Sequence, residues 1–162
     1  MIFVTVGTHE QPFNRLIEEI DRLKGENAFE DEVIIQKGFS TYEPKHCKWF
    51  DMLPYEEMER YQKEARVIIT HGGPASFVYP LSIGKKPIVV PRQFDFNEHV
   101  NNHQLEFSKE LLNRGFDMFV LEDIKDLKET IESYSKDTGS SYVSHNKEFV
   151  SKMTEEIKNL FS

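Results

Sequence analysis

Apolar residues along this chain follow two alternating rhythms. Short, continuous β-branched runs occur at 2–6, 33–35, 67–70 and 87–90, with a weaker one at Lys48–Phe50 and a last one at Phe119–Val120. Such runs predict strands buried on both faces. Between them the spacing changes to that of helices. Phe13, Leu16, Ile17, Ile20 and Leu23 recur every three or four residues, Pro12 sits at a plausible first turn, and Gly25 closes the segment. Further helices are predicted over 54–65, 77–83, 98–114 and 124–134. A polar loop follows at 135–141. A final helix over 142–162 places Phe149, Val150, Met153, Ile157, Leu160 and Phe161 on one stripe, which predicts packing back across the domain.

Strands alternating with helices predict an α/β fold, a Rossmann-like doubly wound parallel sheet. At 162 residues the chain predicts one domain over 1–162. Ligands in such sheets bind outside the carboxyl ends of the strands. The loops expected there are 7–9, 38–40, 50–52, 71–76 and 92–103. The chain's unusual residues gather in them.

The formal net charge of −8 speaks against non-specific nucleic-acid binding, which needs a basic surface. No run approaches the roughly 18 apolar residues of a membrane span. The chain enters its first strand at Ile2 without a basic n-region, so no signal peptide is expected. The single cysteine, Cys47, cannot form an internal disulfide, which fits a reducing cytoplasm.

Candidate chemistry centres on Thr70-His71-Gly72-Gly73-Pro74-Ala75-Ser76. A glycine pair between a buried strand and a helix start brings bare amides to the positive end of the helix dipole, which suits a phosphate. The alternative is a tight turn with Ser76 near the cap. The segment 92–104 is dense in hydrogen-bonding groups. On a helix, Glu98 and Asn102, and His99 and His103, are i,i+4 pairs beside Gln104, a surface able to read sugar hydroxyls. The alternative is a solvated helix start capped by Asn97. His99 and His103 also have the spacing of a metal pair, but no HExxH pattern and no evident third ligand accompany them, so no metal is expected. His9 and His71 are each a candidate general base or phosphate partner, or simply turn residues. Arg92 is a candidate diphosphate partner or a surface cation. G-x-S-x-G, Walker A and G-x-G-x-x-G patterns are absent.

Taken in order, Gly7-Thr8, His71 to Ser76, Gly84-Lys85-Lys86-Pro87 and Glu98-His99…His103-Gln104 resemble the C-terminal half of family 28 glycosyltransferases, over about residues 1–120. The likeness is greatest to stand-alone half-enzymes: the catalytic subunit of the dolichol-linked UDP-GlcNAc transferase and bacterial subunits of two-component enzymes of capsule and exopolysaccharide synthesis. The resemblance implies a GT-B donor domain. Its glycine loop, Gly72, Gly73, Pro74, Ala75 and Ser76, would cradle a UDP diphosphate, with Gly7 and Thr8 opposite. Phe50 and Asp51 would border the uracil, and Gln104 would contact the donor sugar. No cofactor or metal is implied, because the UDP-sugar is itself the substrate. Two positions depart from the family pattern. Tyr79 stands where an acidic ribose ligand is usual, and Phe107 where an asparagine is usual. The resemblance also implies a membrane-anchored acceptor-binding partner subunit and a lipid-linked sugar acceptor. The chain would then be cytoplasmic and peripheral at the inner face of the membrane. A non-catalytic UDP-sugar-binding or scaffold subunit is the alternative reading.

Overall fold

A computed structural model describes residues 1–134 of the chain, so the loop expected at 135–141 and the helix expected at 142–162 lie outside the described residues. The elements in order are β1 (Ile2–Thr5), α1 (Asn14–Gly25), β2 (Val33–Gln36), β3 (Lys48–Phe50), α2 (Tyr55–Glu64), β4 (Val67–His71), α3 (Pro74–Ser82), β5 (Ile88–Val90), α4 (His103–Asn113), β6 (Phe119–Val120) and α5 (Leu127–Ser133). Short 3-10 turns occupy Phe94–Phe96 and Ile124–Asp126. No helix among the described residues is long and apolar enough to cross a membrane.

The six strands form one sheet in the order β3-β2-β1-β4-β5-β6, and every pairing is parallel. This is the doubly wound arrangement expected from the alternating pattern. The period of two along each strand divides the core. Ile2, Val4 and Val6 join Val33, Ile35, Val67, Ile69, Ile88 and Val90 under α1 and α5. Phe3, Ile34 and Ile68 face the other way, with Tyr61 and Ala65 near α2. Val89 does the same against Phe77, Leu81 and Leu111 of α3 and α4.

The strand order reverses between β1 and β4, so their connections run to opposite faces and leave a crevice at the carboxyl edge. The core strands end there in polar residues. Thr5, Gln36 and Thr70 are all buried. The Thr5 hydroxyl donates to Gln36 Oε1 at 2.6 Å. The same oxygen accepts the Gly7 amide at 3.2 Å, while Gln36 Nε2 donates to the carbonyls of Gly7 (3.1 Å) and Asp51 (3.0 Å). One buried side chain thus ties the loops that follow β1 and β3.

Two boundaries differ from the sequence expectation. α3 starts at Pro74 rather than Phe77, which brings Gly73 to the N-cap and Pro74 to the first helical position. The helix expected from Glu98 starts only at His103. Residues 93–102 form a loop instead, turning through a left-handed Asn97 (φ 57°). Its amides find local partners: Glu98 N–H donates to the Gln93 carbonyl, and Phe94 N–H to Asn102 Oδ1. Its fourth turn residue, Glu98, has its carbonyl taken by Arg92. Glu98–Asn102 and His99–His103 are therefore not pairs on a helix face.

Arg92 holds this loop from below. It is fully buried, and its guanidinium donates to the carbonyls of Val6 (2.8 Å), Gln11 (2.6 Å) and Glu98 (3.0 Å). Burial lowers its pKa to about 10, opposed by the Glu98 charge. The group stays cationic at neutral pH. Arg92→Leu leaves three buried carbonyls without a donor, so a loss of about 3–5 kcal/mol of stability is expected. Urea unfolding of the variant checks this; an unchanged midpoint contradicts it.

Candidate functional site

A cavity of about 680 Å³ opens at the carboxyl edge, in the crevice between the loops after β1 and β4. Its size is that of a small-molecule site. Of the residues expected from sequence, Gly7, Thr8, His9, His71, Gly73, Pro74, Ala75, Ser76 and Gln104 line it. Five others do not. Gly72 sits behind it, its amide donating to Gln104 Oε1 at 3.1 Å. Phe50 packs against Tyr61. Asp51 is exposed and pairs with Lys37 at 3.1 Å, so the wall after β3 is made by Met52 and Leu53 instead. Arg92 faces the carbonyls described above rather than the cavity. Glu98, 2% exposed, is an ion-pair partner of Arg15 at 2.9 Å and accepts the Gln93 amide at 3.1 Å. His103 is exposed at the start of α4, outside the lining.

His71 organises the glycine turns. Its ring lies against both Gly7 and Gly73, and a Cβ on either glycine would overlap it. Gly7 also has φ +76°, a conformation that side chains disfavour. The glycines thus let two loops close on one imidazole, a packing role beside the phosphate cradle and the tight turn expected from sequence. The Gly73 amide donates to Nδ1 at 3.2 Å, so the neutral ring carries its hydrogen on Nε2. Nε2 lies 2.6 Å from Ser76 Oγ. With the ring donating there, the Ser76 hydroxyl hydrogen is free to point elsewhere, and Ser76 lines the cavity. Burial, with Arg92 next, pushes the His71 pKa down to about 3. His71 is therefore a neutral orienting group at physiological pH, not a cationic phosphate partner.

Gln104 makes the second tie. Its Oε1 accepts the amides of both Gly72 and Arg92 at 3.1 Å, pinning the loop after β4 to that after β5. Only its Nε2 hydrogens remain for a ligand.

His9 sits at the cavity mouth. Its Nε2 lies 2.8 Å from Gln11 Oε1, and Gln11 Nε2 donates to the Asn97 carbonyl. That second bond orients the amide, so His9 donates through Nε2 and keeps Nδ1 as the nitrogen able to take a proton. His99 stacks on the His9 ring, with centroids 4.4 Å apart and planes 14° apart. Burial, then His9 and Arg92, lower the His99 pKa. From sequence His99 was a candidate both for a sugar-reading surface and for a metal pair, not for a ring stacked on His9; among the described residues no cluster of three metal-ligating side chains occurs.

The opposite wall was missed. Tyr55, Met58, Glu59 and Gln62 of α2 line the cavity, facing Tyr79 of α3. Their i, i+3, i+4, i+7 spacing is a readable signal of one shared face.

The fold thus combines a parallel sheet, a reversal crevice and a glycine turn at a helix start. The chain belongs to the glycosyltransferase family 28 C-terminal domain family, whose model matches residues 1–160. Among solved structures it is similar to the glycotransferase of kitacinnamycin (13% identity, TM-score 0.60), covering 93% of this chain and 38% of that one. It is similar to the glycosyltransferase SnogD from Streptomyces nogalater (17%, TM-score 0.55), covering 96% and 39%. A third is CalG4, the calicheamicin glycosyltransferase (17%, TM-score 0.53), at 98% and 38%. These likenesses establish the fold as that of a GT-B glycosyltransferase C-terminal domain. The chain spans under two-fifths of each of these proteins. The comparison with curated proteins yields no match.

A buried neutral imidazole has a consequence for stability. The folded-state pKa of His71, about 3, lies below the ordinary 6.5, so the unfolded chain binds the extra proton between those values. This contribution is complete above pH 6.5 and declines as pH falls toward 3, by about 1.4 kcal/mol per pH unit. His71→Asn should flatten the fall of stability between pH 6.5 and 4. Denaturant unfolding across that range tests it, and equal slopes for variant and wild type contradict it.

Proposed function

We propose that this chain is the donor-binding catalytic subunit of a two-component glycosyltransferase. In this reading it transfers a hexose from a UDP-sugar to a polyprenyl-diphosphate-linked sugar in polysaccharide biosynthesis. The observation that carries the reading is the crevice turn, where the start of α3, the Ser76 hydroxyl and the facing Gly7 and Thr8 line one cavity. Donors fixed there suit a diphosphate, whose charge grows as it leaves. That supports transfer without a metal ion.

The acceptor hydroxyl attacks the anomeric carbon from the side opposite the diphosphate. The new C–O bond forms as the bond to UDP breaks, with inversion, and the hydroxyl proton passes to a base. His9 Nδ1 is that base in this reading, with Gln11 and His99 holding the ring. Gln104 Nε2 reaches the donor sugar.

The acceptor needs a second lobe, here a membrane-anchored partner, which would place the chain in the cytoplasm at the inner membrane face. Seven large apolar side chains are markedly exposed among the described residues. Six of them, Phe39, Met52, Tyr55, Phe94, Phe96 and Val100, follow strands at the same carboxyl edge as the cavity. Apolar surface gathered around a site favours a docking partner.

Calorimetry with UDP in EDTA tests the donor site, and saturable binding is expected. Binding that appears only with Mg²⁺ or Mn²⁺ contradicts the metal-free reading, and no binding contradicts the function. In a transfer assay with the partner and a lipid-linked acceptor, His9→Ala should lower turnover about 10²–10⁴-fold while UDP affinity stays near wild type. Wild-type turnover would move the base to the partner.

A further inference from the structure

The cavity mouth holds two histidines from different loops, and three ties bring those loops together. One Arg92 nitrogen, Nη1, donates to the carbonyls of Gln11 and Glu98, two residues after His9 and one before His99. Gln11 Nε2 donates to the Asn97 carbonyl at 3.2 Å. The third tie is the ring stack, with His9 and His99 parallel to within 14°. Both rings are half-buried and both line the cavity. A ring braced by packing and by hydrogen-bonded neighbours is held in one orientation.

The two rings are not equivalent. His9 Nε2 is engaged by Gln11 Oε1, which leaves Nδ1 to accept a proton. His99 Nδ1 is buried and has no hydrogen-bond partner. A proton there would create an N–H with no acceptor, on a ring in contact with His9. Burial, then His9, Arg92 and His103, hold the His99 pKa below the usual imidazole value, with the Asn101 side chain opposing. Neutral His71, cationic Arg92 and exposed His103 also stand around the pair. Of the neighbouring carboxylates, Glu10 is exposed and Glu98 is paired with Arg15. Two protons on the stack would set two cations face to face, with ring centroids 4.4 Å apart. One proton sets an imidazolium against a neutral ring and avoids that repulsion.

We propose that His99 is a positioning residue: its neutral ring holds His9 in the tautomer with Nδ1 open, and keeps the stacked pair to a single proton, carried by His9. The catalytic side of this role rests on the reading of His9 as the base of glycosyl transfer. It adds that His99 sets the pH range over which that base works. A permanent cation in its place would repel the incoming proton and move that range to lower pH.

Long-range ¹H–¹⁵N NMR reads both ring nitrogens of each histidine across a pH titration of the full chain. Wild type, His99→Phe, His99→Ala and His99→Arg are compared, and His9→Ala assigns the His9 signals. In wild type, His9 should be in the Nε2–H form when neutral, and the pair should take up protons in two separate steps, the first at His9 Nδ1. His99→Phe keeps a neutral ring on that face and should keep the tautomer. His99→Ala should mix the two tautomers, and His99→Arg should move the His9 titration to lower pH. In a transfer assay with the partner, His99→Ala should lower kcat about tenfold while UDP affinity stays near wild type, and His99→Phe should recover kcat to within about twofold. The acidic limb of the kcat profile in His99→Arg should move down in pH together with the NMR titration. The same His9 tautomer and titration in wild type and all three His99 variants overturns the positioning role and leaves the UDP-sugar reading standing. Protonation of both wild-type rings in one step does the same. The expected NMR behaviour beside wild-type turnover of His9→Ala overturns the base assignment, and the catalytic role of His99 with it.

Discussion

A parallel sheet satisfies its own backbone but does nothing for the loops that leave it. At the carboxyl edge those loops must find hydrogen-bond partners without a ladder. This chain meets that constraint with three side chains. Gln36 ties the turn after β1 to the residues after β3. Arg92 gathers carbonyls from 6, 11 and 98. Gln104 pins Gly72 to Arg92. Every wall of the cavity hangs from one of these ties or from α2 and α3. The crevice is thus pre-formed, which lowers the ordering cost of binding a ligand.

His71 fits the same logic. Its ring is the spacer between two glycine turns, and its neutrality follows from burial beside the Arg92 cation. The net result at the turn is a set of oriented neutral donors rather than a cluster of charges. Preorganised dipoles in a partly dry site stabilise developing negative charge without reorganising. A leaving diphosphate is the kind of charge such an arrangement serves.

The layout of the fold was legible because parallel strands and amphipathic helices have distinct periods. The strands at 33–35, Lys48–Phe50 and Phe119–Val120 and the crossover helices all followed from it. The start of α4 was not legible. Residues 98–102 have helical i,i+4 spacing to their neighbours but include the weak helix formers His99, Val100, Asn101 and Asn102; Asn101 and Asn102 accept loop amides, and the Arg92 guanidinium takes the Glu98 carbonyl, a tertiary contact with no local signature. Arg92 itself read as a surface cation or phosphate ligand for the same reason: nothing in its neighbours announces three carbonyls converging from distant loops. The α2 wall was legible in principle, since Tyr55, Met58, Glu59 and Gln62 share a face. Reading that helix as merely rich in glutamate hid it. Tyr79 stood out as a departure from the resembled pattern, and only the fold shows a carboxylate, Glu59, on the helix across the cavity from it.

The account stands on one spatial claim, that a uridine diphosphate occupies the crevice between β1 and β4. An amide-resolved NMR titration of the ¹⁵N-labelled chain with UDP locates the ligand directly. The expected result is saturable shifts at Gly7, Thr8, Gly73, Ala75 and Ser76 and along the cavity face of α2. Residues at the amino edge of the sheet, such as Asp31 and Arg66, should stay unmoved. Shifts confined to the amino edge, or spread evenly over the surface, would contradict the account.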